Sequence, residues 1–197
     1  QLDEAVKSFE KALSLKPDYA EVHYNLGVTF QELSQLNAAV KSYEKALAIK
    51  PDYAIAYNNL GFILQELGQH DNAVKSYEKA LAIKPDYAEA HNNLGNALND
   101  LGQLDASIKS FEKALAIKPD YAEAHNNLGN TLRNLDQLDE ALASYERAIT
   151  FKPDMNFLLG HSLHTKMHLC IWDELSNNLN ELTQKINNNE KVSHPFH

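Results

Sequence analysis

Asparagine recurs at Asn25, Asn59, Asn93 and Asn127, each 34 residues after the last. A primary amide offers two N–H donors and a carbonyl acceptor, the complement of a peptide backbone. A row of such amides would hold an extended polypeptide by its main chain and read few of its side chains. Asparagine is a weak helix former, so propensity does not explain its return. The plainer alternatives are that these amides bond a neighbouring repeat's backbone, that they face water, or that near-duplicate repeats copy any residue. A second group is His161, His164 and His168, whose spacing puts three imidazoles on one helical face. Histidines four apart on a helix can share a metal ion. No carboxylate or thiol is placed on that face, so the expected role is a polar, pH-responsive wall, with no metal and no cofactor. No nucleophile motif, phosphate loop or catalytic carboxylate pair occurs. No catalytic residue is assigned, and the chain is not expected to be an enzyme.

The elements that carry these residues follow from the same period. Ala-Ile-Lys-Pro-Asp-Tyr-Ala occurs at 48–54, 82–88 and 116–122, and Pro17, Pro51, Pro85, Pro119 and Pro153 keep the spacing. A fixed period of this length marks stacked helical hairpins. Counting position 1 as Ala20, Ala54, Ala88 and Ala122 gives full units at 20–53, 54–87, 88–121 and 122–155, with 1–19 the second half of an earlier unit. Within 122–135 the residues Ala122, His125, Leu128, Gly129 and Leu132 fall at helical spacing, and within 138–151 so do Leu138, Ala141, Leu142, Tyr145, Ala148 and Ile149. Asp18, Asp86 and Asp120, each three residues before a glutamate, have the spacing of a capping box for the first helix. Gly68 and Gly102 suit a left-handed turn between the helices, Asp71, Asp105 and Asp139 are expected to cap the second helix, and the prolines end it. Small residues at Gly27, Gly61, Gly95, Gly129, Ala39, Ala73 and Ala141 allow close approach, with Ser107 as the deviation. Tyr43, Tyr77, Phe111 and Tyr145 are expected to fill the gap between neighbouring units. His23, His91 and His125 sit at an aromatic packing position and are read as structural.

These positions define the tetratricopeptide repeat: Leu-Gly in the first helix, Ala and an aromatic in the second, then Ala and Pro. The chain resembles that family over about residues 1–155. The resemblance implies an all-α fold, a right-handed α-solenoid of antiparallel helix hairpins, whose first helices line a concave groove. Position 6 of that groove is Asn25, Asn59, Asn93 and Asn127; position 9 is Val28, Phe62, Asn96 and Asn130. His161 and His164 continue the same line. These ten residues are the expected peptide-binding set. Val28, Ile55 and Phe62 make the first part of the groove apolar, or else pack between helices; Glu89, Asp100 and Glu123 make the second part acidic. The expected partner is a protein or peptide, extended and neutral to basic. Family members that grip a chaperone's terminal carboxylate do so with Lys and Arg at positions 2, 5 and 6, which here are acidic, apolar or amide, so that role is set aside. The Glu-then-Lys pattern of the second helices reads as a solvated convex face. A scaffold recruiting a folded partner through that face or the ends is the alternative.

A formal charge of −9 argues against nucleic acid, and no apolar run is long enough to span a membrane. Cys170 is the single cysteine, which fits a reducing, cytoplasmic setting. Gln1 falls inside a repeat, so the chain is expected to be a piece of a longer protein. The helix at 2–16 then offers an open face for end-to-end self-association. After Pro153 the pattern decays into a degenerate capping hairpin at 156–187, with helices at about 157–170 and 174–187 and a turn near Trp172-Asp173. Residues 188–197 read as a linker. His168-Leu169-Cys170-Ile171-Trp172-Asp173, the run Leu175, Leu179, Leu182 and Ile186, and Ser193-His194-Pro195-Phe196 look like the junction between repeats and catalytic region in O-GlcNAc transferases. That resemblance implies a substrate-recognition region whose asparagine ladder holds protein, with the glycosyltransferase lobes absent here.

Overall fold

The structure, a computed structural model, describes residues 1–155, 157–172 and 175–187. Among them, eleven α-helices and no strands are found. They fall into two compact units, Gln1–Gln103 and Leu104–His197. The first unit holds α1 (Leu2–Leu15), α2 (Ala20–Glu32), α3 (Leu36–Ile49), α4 (Ala54–Glu66), α5 (His70–Ile83) and α6 (Ala88–Asp100). The second holds α7 (Leu104–Ile117), α8 (Ala122–Asn134), α9 (Leu138–Phe151), α10 (Leu158–His168) and α11 (Leu175–Asn187). The pairs α2/α3, α4/α5 and α8/α9 are the hairpins that the period predicts. The expected linker at 188–197, and with it the Ser193–Phe196 motif, lies outside the described residues.

Each hairpin closes around a glycine and a ring. Tyr43, Tyr77 and Tyr145 are fully buried. A Cβ built on Gly27 would stand 2.7 Å from the Tyr43 ring; Gly61 meets Tyr77 and Gly129 meets Tyr145 at the same distance. The rings therefore lie against the first helix of their own hairpin, which corrects the expectation that they chiefly fill the gap between units. They do reach onward: the Tyr145 and His161 rings are 5.6 Å apart. The core of the first unit continues through Ala39, Leu47, Ala56, Leu60 and Ile63, and that of the second through Leu132, Ala141, Ala148 and Leu158.

Both capping expectations need correction. The residues before α2, α4, α6 and α8 are Tyr19, Tyr53, Tyr87 and Tyr121, without a side-chain cap bond. The aspartates stand one residue too early, because the proline and aspartate are spent on the turn. Asp71, Asp105 and Asp139 lie inside the first turns of α5, α7 and α9, where a negative charge favours the helix dipole without capping.

The turn between first and second helix is the most regular feature. Ser34, Gly68, Gly102, Asp136 and Cys170 all have φ between 56° and 72°. Each is followed by a bond from the next N–H to the carbonyl five residues back: Gln35 to Phe30 at 2.8 Å, Gln69 to Leu64 at 2.8 Å, Gln103 to Leu98 at 2.9 Å, Gln137 to Leu132 at 3.0 Å and Ile171 to Lys166 at 2.9 Å. This is the Schellman pattern. Cys170 keeps it, so the backbone period continues where the side-chain pattern decays; the chain turns at Leu169-Cys170, and Asp173 of the turn expected near Trp172-Asp173 lies outside the described residues. Nothing lies within 4 Å of a Cβ built on Gly68. Gly68→Ala is thus a test of backbone strain alone, and equilibrium denaturation should show a loss of about 1 kcal/mol.

Candidate functional site

The asparagine row acquires geometry in the first unit. Position 6 of one repeat bonds position 5 of the repeat before it, an offset of 35 residues. Asn59 Nδ2 donates to the Tyr24 hydroxyl at 3.1 Å, and Asn93 Nδ2 donates to Asn58 Oδ1 at 3.1 Å. Asn58 Nδ2 donates to Asn59 Oδ1 at 3.4 Å, which joins the two links into one chain. Asn92 and Asn93 repeat that neighbour contact at 3.4 Å. Asn58 and Asn92 are buried, Asn59 and Asn93 half-buried. The Tyr43 hydroxyl donates to Gln31 Oε1 at 3.1 Å. Burial pushes the Tyr24 hydroxyl above the usual tyrosine value and the Tyr43 hydroxyl well above it, so both stay protonated at neutral pH. Asn25 is exposed and Asn96 half-buried.

In the second unit His161 takes the ladder position. Its Nδ1 lies 3.5 Å from Asn126 Oδ1, again at the 35-residue offset. Asn130 is engaged otherwise than expected, accepting from the Tyr145 hydroxyl at 2.8 Å. Asn127 is half-buried, and its carbonyl accepts from Thr131 Oγ1 at 3.1 Å. His164 and His168 lie with ring centroids 4.4 Å apart, while His161 turns toward Tyr145 and Asn126. Burial, then His168 and Arg133, hold the His164 imidazole below the usual histidine range.

The apolar pair of readings divides by residue. Val28 is half-buried and packs on the core, whereas Ile55 and Phe62 are each 40% exposed. The acidic half is less bare than its sequence. Glu123 pairs with Lys152 at 2.9 Å, as Glu21 does with Lys50 at 3.4 Å, and each carboxylate is held below its usual range. Asp100 accepts from Gln65 Nε2 at 2.6 Å and lies 3.4 Å from His70 Nδ1.

Two repeating contacts serve the scaffold. Lys16, Lys50, Lys84 and Lys118 set their ammonium groups 4.4 to 4.8 Å from the rings of Tyr19, Tyr53, Tyr87 and Tyr121. The Lys-Pro-Asp-Tyr quartet is therefore a cation–π clasp as well as a helix stop. His23, His91 and His125 place Nε2 2.9 to 3.0 Å from the carbonyls of Pro17, Pro85 and Pro119, tying the first helix to the preceding turn. At His125, burial holds the imidazole below its usual range. The unfolded chain then takes up a proton that the folded chain resists. The stability contributed is complete above about pH 6.5 and is lost as pH falls from there toward the lowered folded value. Thermal melts should record that loss, and His125→Gln should flatten it.

Position 5 (Tyr24, Asn58, Asn92 and Asn126) is a groove position by sequence, but the expected binding set left it out. Tyr24, Asn58 and Asn126 are the acceptors that orient the ladder, and their signal was the offset of 35 rather than 34. Among the described residues no cluster of His, Cys, Asp and Glu is placed to hold a metal, and no helix is long and apolar enough to cross a membrane.

Paired helices that repeat every 34 residues, each closed by a glycine under an aromatic ring, define a helical-repeat scaffold. A tetratricopeptide repeat model matches residues 18–86, 52–120 and 86–154, and a second TPR repeat model matches residues 1–34. The chain belongs to the tetratricopeptide repeat family, a class of protein–protein interaction scaffolds. No curated protein sequence matches it. Among solved structures it is similar to MamA, with 26% identity, covering 77% of this chain and 89% of that one at a TM-score of 0.74. It is similar to PilF of Pseudomonas aeruginosa, with 21% identity, 93% and 83% covered and a TM-score of 0.82. A third is YrrB, described as a TPR protein with an unusual peptide-binding site, with 22% identity, 89% and 90% covered and a TM-score of 0.72. These likenesses establish the all-α solenoid fold class.

Proposed function

We propose that this chain binds extended polypeptide along its first helices, holding the main chain with amides and reading few side chains. The observation that carries the reading is the bonded chain Tyr24, Asn59, Asn58 and Asn93. Those bonds fix the plane of each amide before a guest arrives, so less ordering entropy is lost on binding. The Asn93 amide donates to Asn58 and accepts from Asn92, and a primary amide has two N–H groups and two lone pairs. Asn25, Asn96, Asn127, Asn130, Val28, Phe62, His161 and His164 complete the proposed surface in their respective units. YrrB, whose name records a peptide-binding site, has the same fold. The test is the affinity of Asn59→Ala/Asn93→Ala for an unstructured polypeptide, with helical circular dichroism as the control for folding.

The finer identity rests on sequence resemblance. His168–Trp172 and the Leu/Ile run of α11 support a parent protein of the O-GlcNAc transferase type, for which this region would present acceptor protein in the cytoplasm. Co-purification of full-length parent with nucleotide-sugar transferase activity checks it. The self-association expected through residues 2–16 is supported by Leu15, which is 82% exposed, and sedimentation across a concentration series tests it.

A further inference from the structure

A cavity of about 490 Å³ opens in the first unit, lined by Gln31, Glu32, Ser34, Leu36, Phe62 and Glu66. The first four residues come from one repeat and the last two from the next. Phe62 leaves 40% of its surface in solvent, and Glu66 follows four residues later on the same helical face. Glu32 contributes a second carboxylate from the neighbouring repeat. Of the other first-helix carboxylates, Glu21 has Lys50, Asp100 has Gln65 and His70, and Glu123 has Lys152, while Glu89 has no ion pair among the described residues but does not line this cavity. Among the described residues Glu32 and Glu66 have no ion pair.

We propose that this cavity is a subsite for one lysine or arginine side chain of the bound polypeptide. It rests on the backbone-binding reading and adds the residue class that the backbone leaves unread. An aromatic face attracts a cation, and two unpaired carboxylates supply the counter-charge. An apolar guest would desolvate those carboxylates without compensation, and an acidic one would be repelled. The formal charge of −9 favours the approach of a basic segment.

Acetylated, amidated Gly/Ser peptides with a single central Lys, Arg or norleucine provide the probes, titrated by calorimetry against the full chain. The Lys and Arg peptides should bind roughly 5- to 150-fold tighter than the norleucine peptide, from one exposed cation–π contact and two exposed ion pairs. That advantage should shrink with added salt. Phe62→Leu, which keeps apolar bulk but removes the π face, should reduce it, and Glu32→Gln/Glu66→Gln should remove most of it, weakening the Lys peptide and strengthening the norleucine peptide as the desolvation cost falls. Equal binding of Lys and norleucine peptides overturns the subsite and leaves the backbone reading standing. A Lys advantage that survives both variants also overturns it. No binding by any peptide overturns both.

Discussion

Gly61→Ala should destabilise the wild-type protein by about 1–2 kcal/mol and be neutral or stabilising once Tyr77 is Leu. The added Cβ would sit 2.7 Å from the Tyr77 ring, closer than non-bonded carbons come. The ring is fully buried and bonded through its hydroxyl to Gln65 Oε1 at 3.3 Å, so it cannot swing aside. Overpacking of this kind costs about 1–3 kcal/mol, and alanine returns roughly 0.5–1 kcal/mol over glycine in a helix. Leucine at 77 removes the ring, hence the clash, and only the helix gain is left. Tyr77→Leu should itself destabilise, by less than the about 3–5 kcal/mol expected for full truncation to Ala. A double-mutant cycle by urea denaturation measures the coupling. Equal effects of Gly61→Ala in both backgrounds would mean that the glycine serves something other than the ring.

The second large effect concerns binding. Asn59→Ala/Asn93→Ala should weaken binding of an unstructured polypeptide by roughly 5- to 150-fold, from two lost hydrogen bonds at about 0.5–1.5 kcal/mol each. The same change removes the bonds to Tyr24 and Asn58, so a stability loss accompanies it. Asn58→Ala separates the two effects. Asn58 is buried and reaches a guest only through the amides it orients. It should cost stability like a ladder residue while weakening binding less than Asn93→Ala does.

The period was legible in sequence because it is written in residue types that have one structural reading each. Gly61 admits a ring, Pro85 stops a helix, and Gly68 takes positive φ. Where a type has several readings, the sequence was less clear. An aspartate near a helix start could cap it or only favour its dipole, and Asp71 does the second. Tyrosine at the helix entry was hidden inside Lys-Pro-Asp-Tyr, which looked like punctuation. Ser34, Asp136 and Cys170 adopt the left-handed turn without the glycine that announces it, because the Schellman bonds hold them there. The ladder was half legible: Asn59 and Asn93 stood out, but what they bond is set by how adjacent repeats are offset, and that offset is a property of packing. His161 entered the ladder for the same reason, as an acceptor-facing ring at a position where earlier repeats have an amide.

The most direct measurement follows the asparagine side-chain NH2 resonances of ¹⁵N-labelled protein during titration with an unstructured Gly/Ser-rich polypeptide. The account predicts that the Asn59 and Asn93 NH2 signals shift with one common dissociation constant, while backbone amides around Lys41 and Lys75 on the second helices stay still. Shifts confined to Lys41 and Lys75, with the ladder unmoved at saturation, would contradict it.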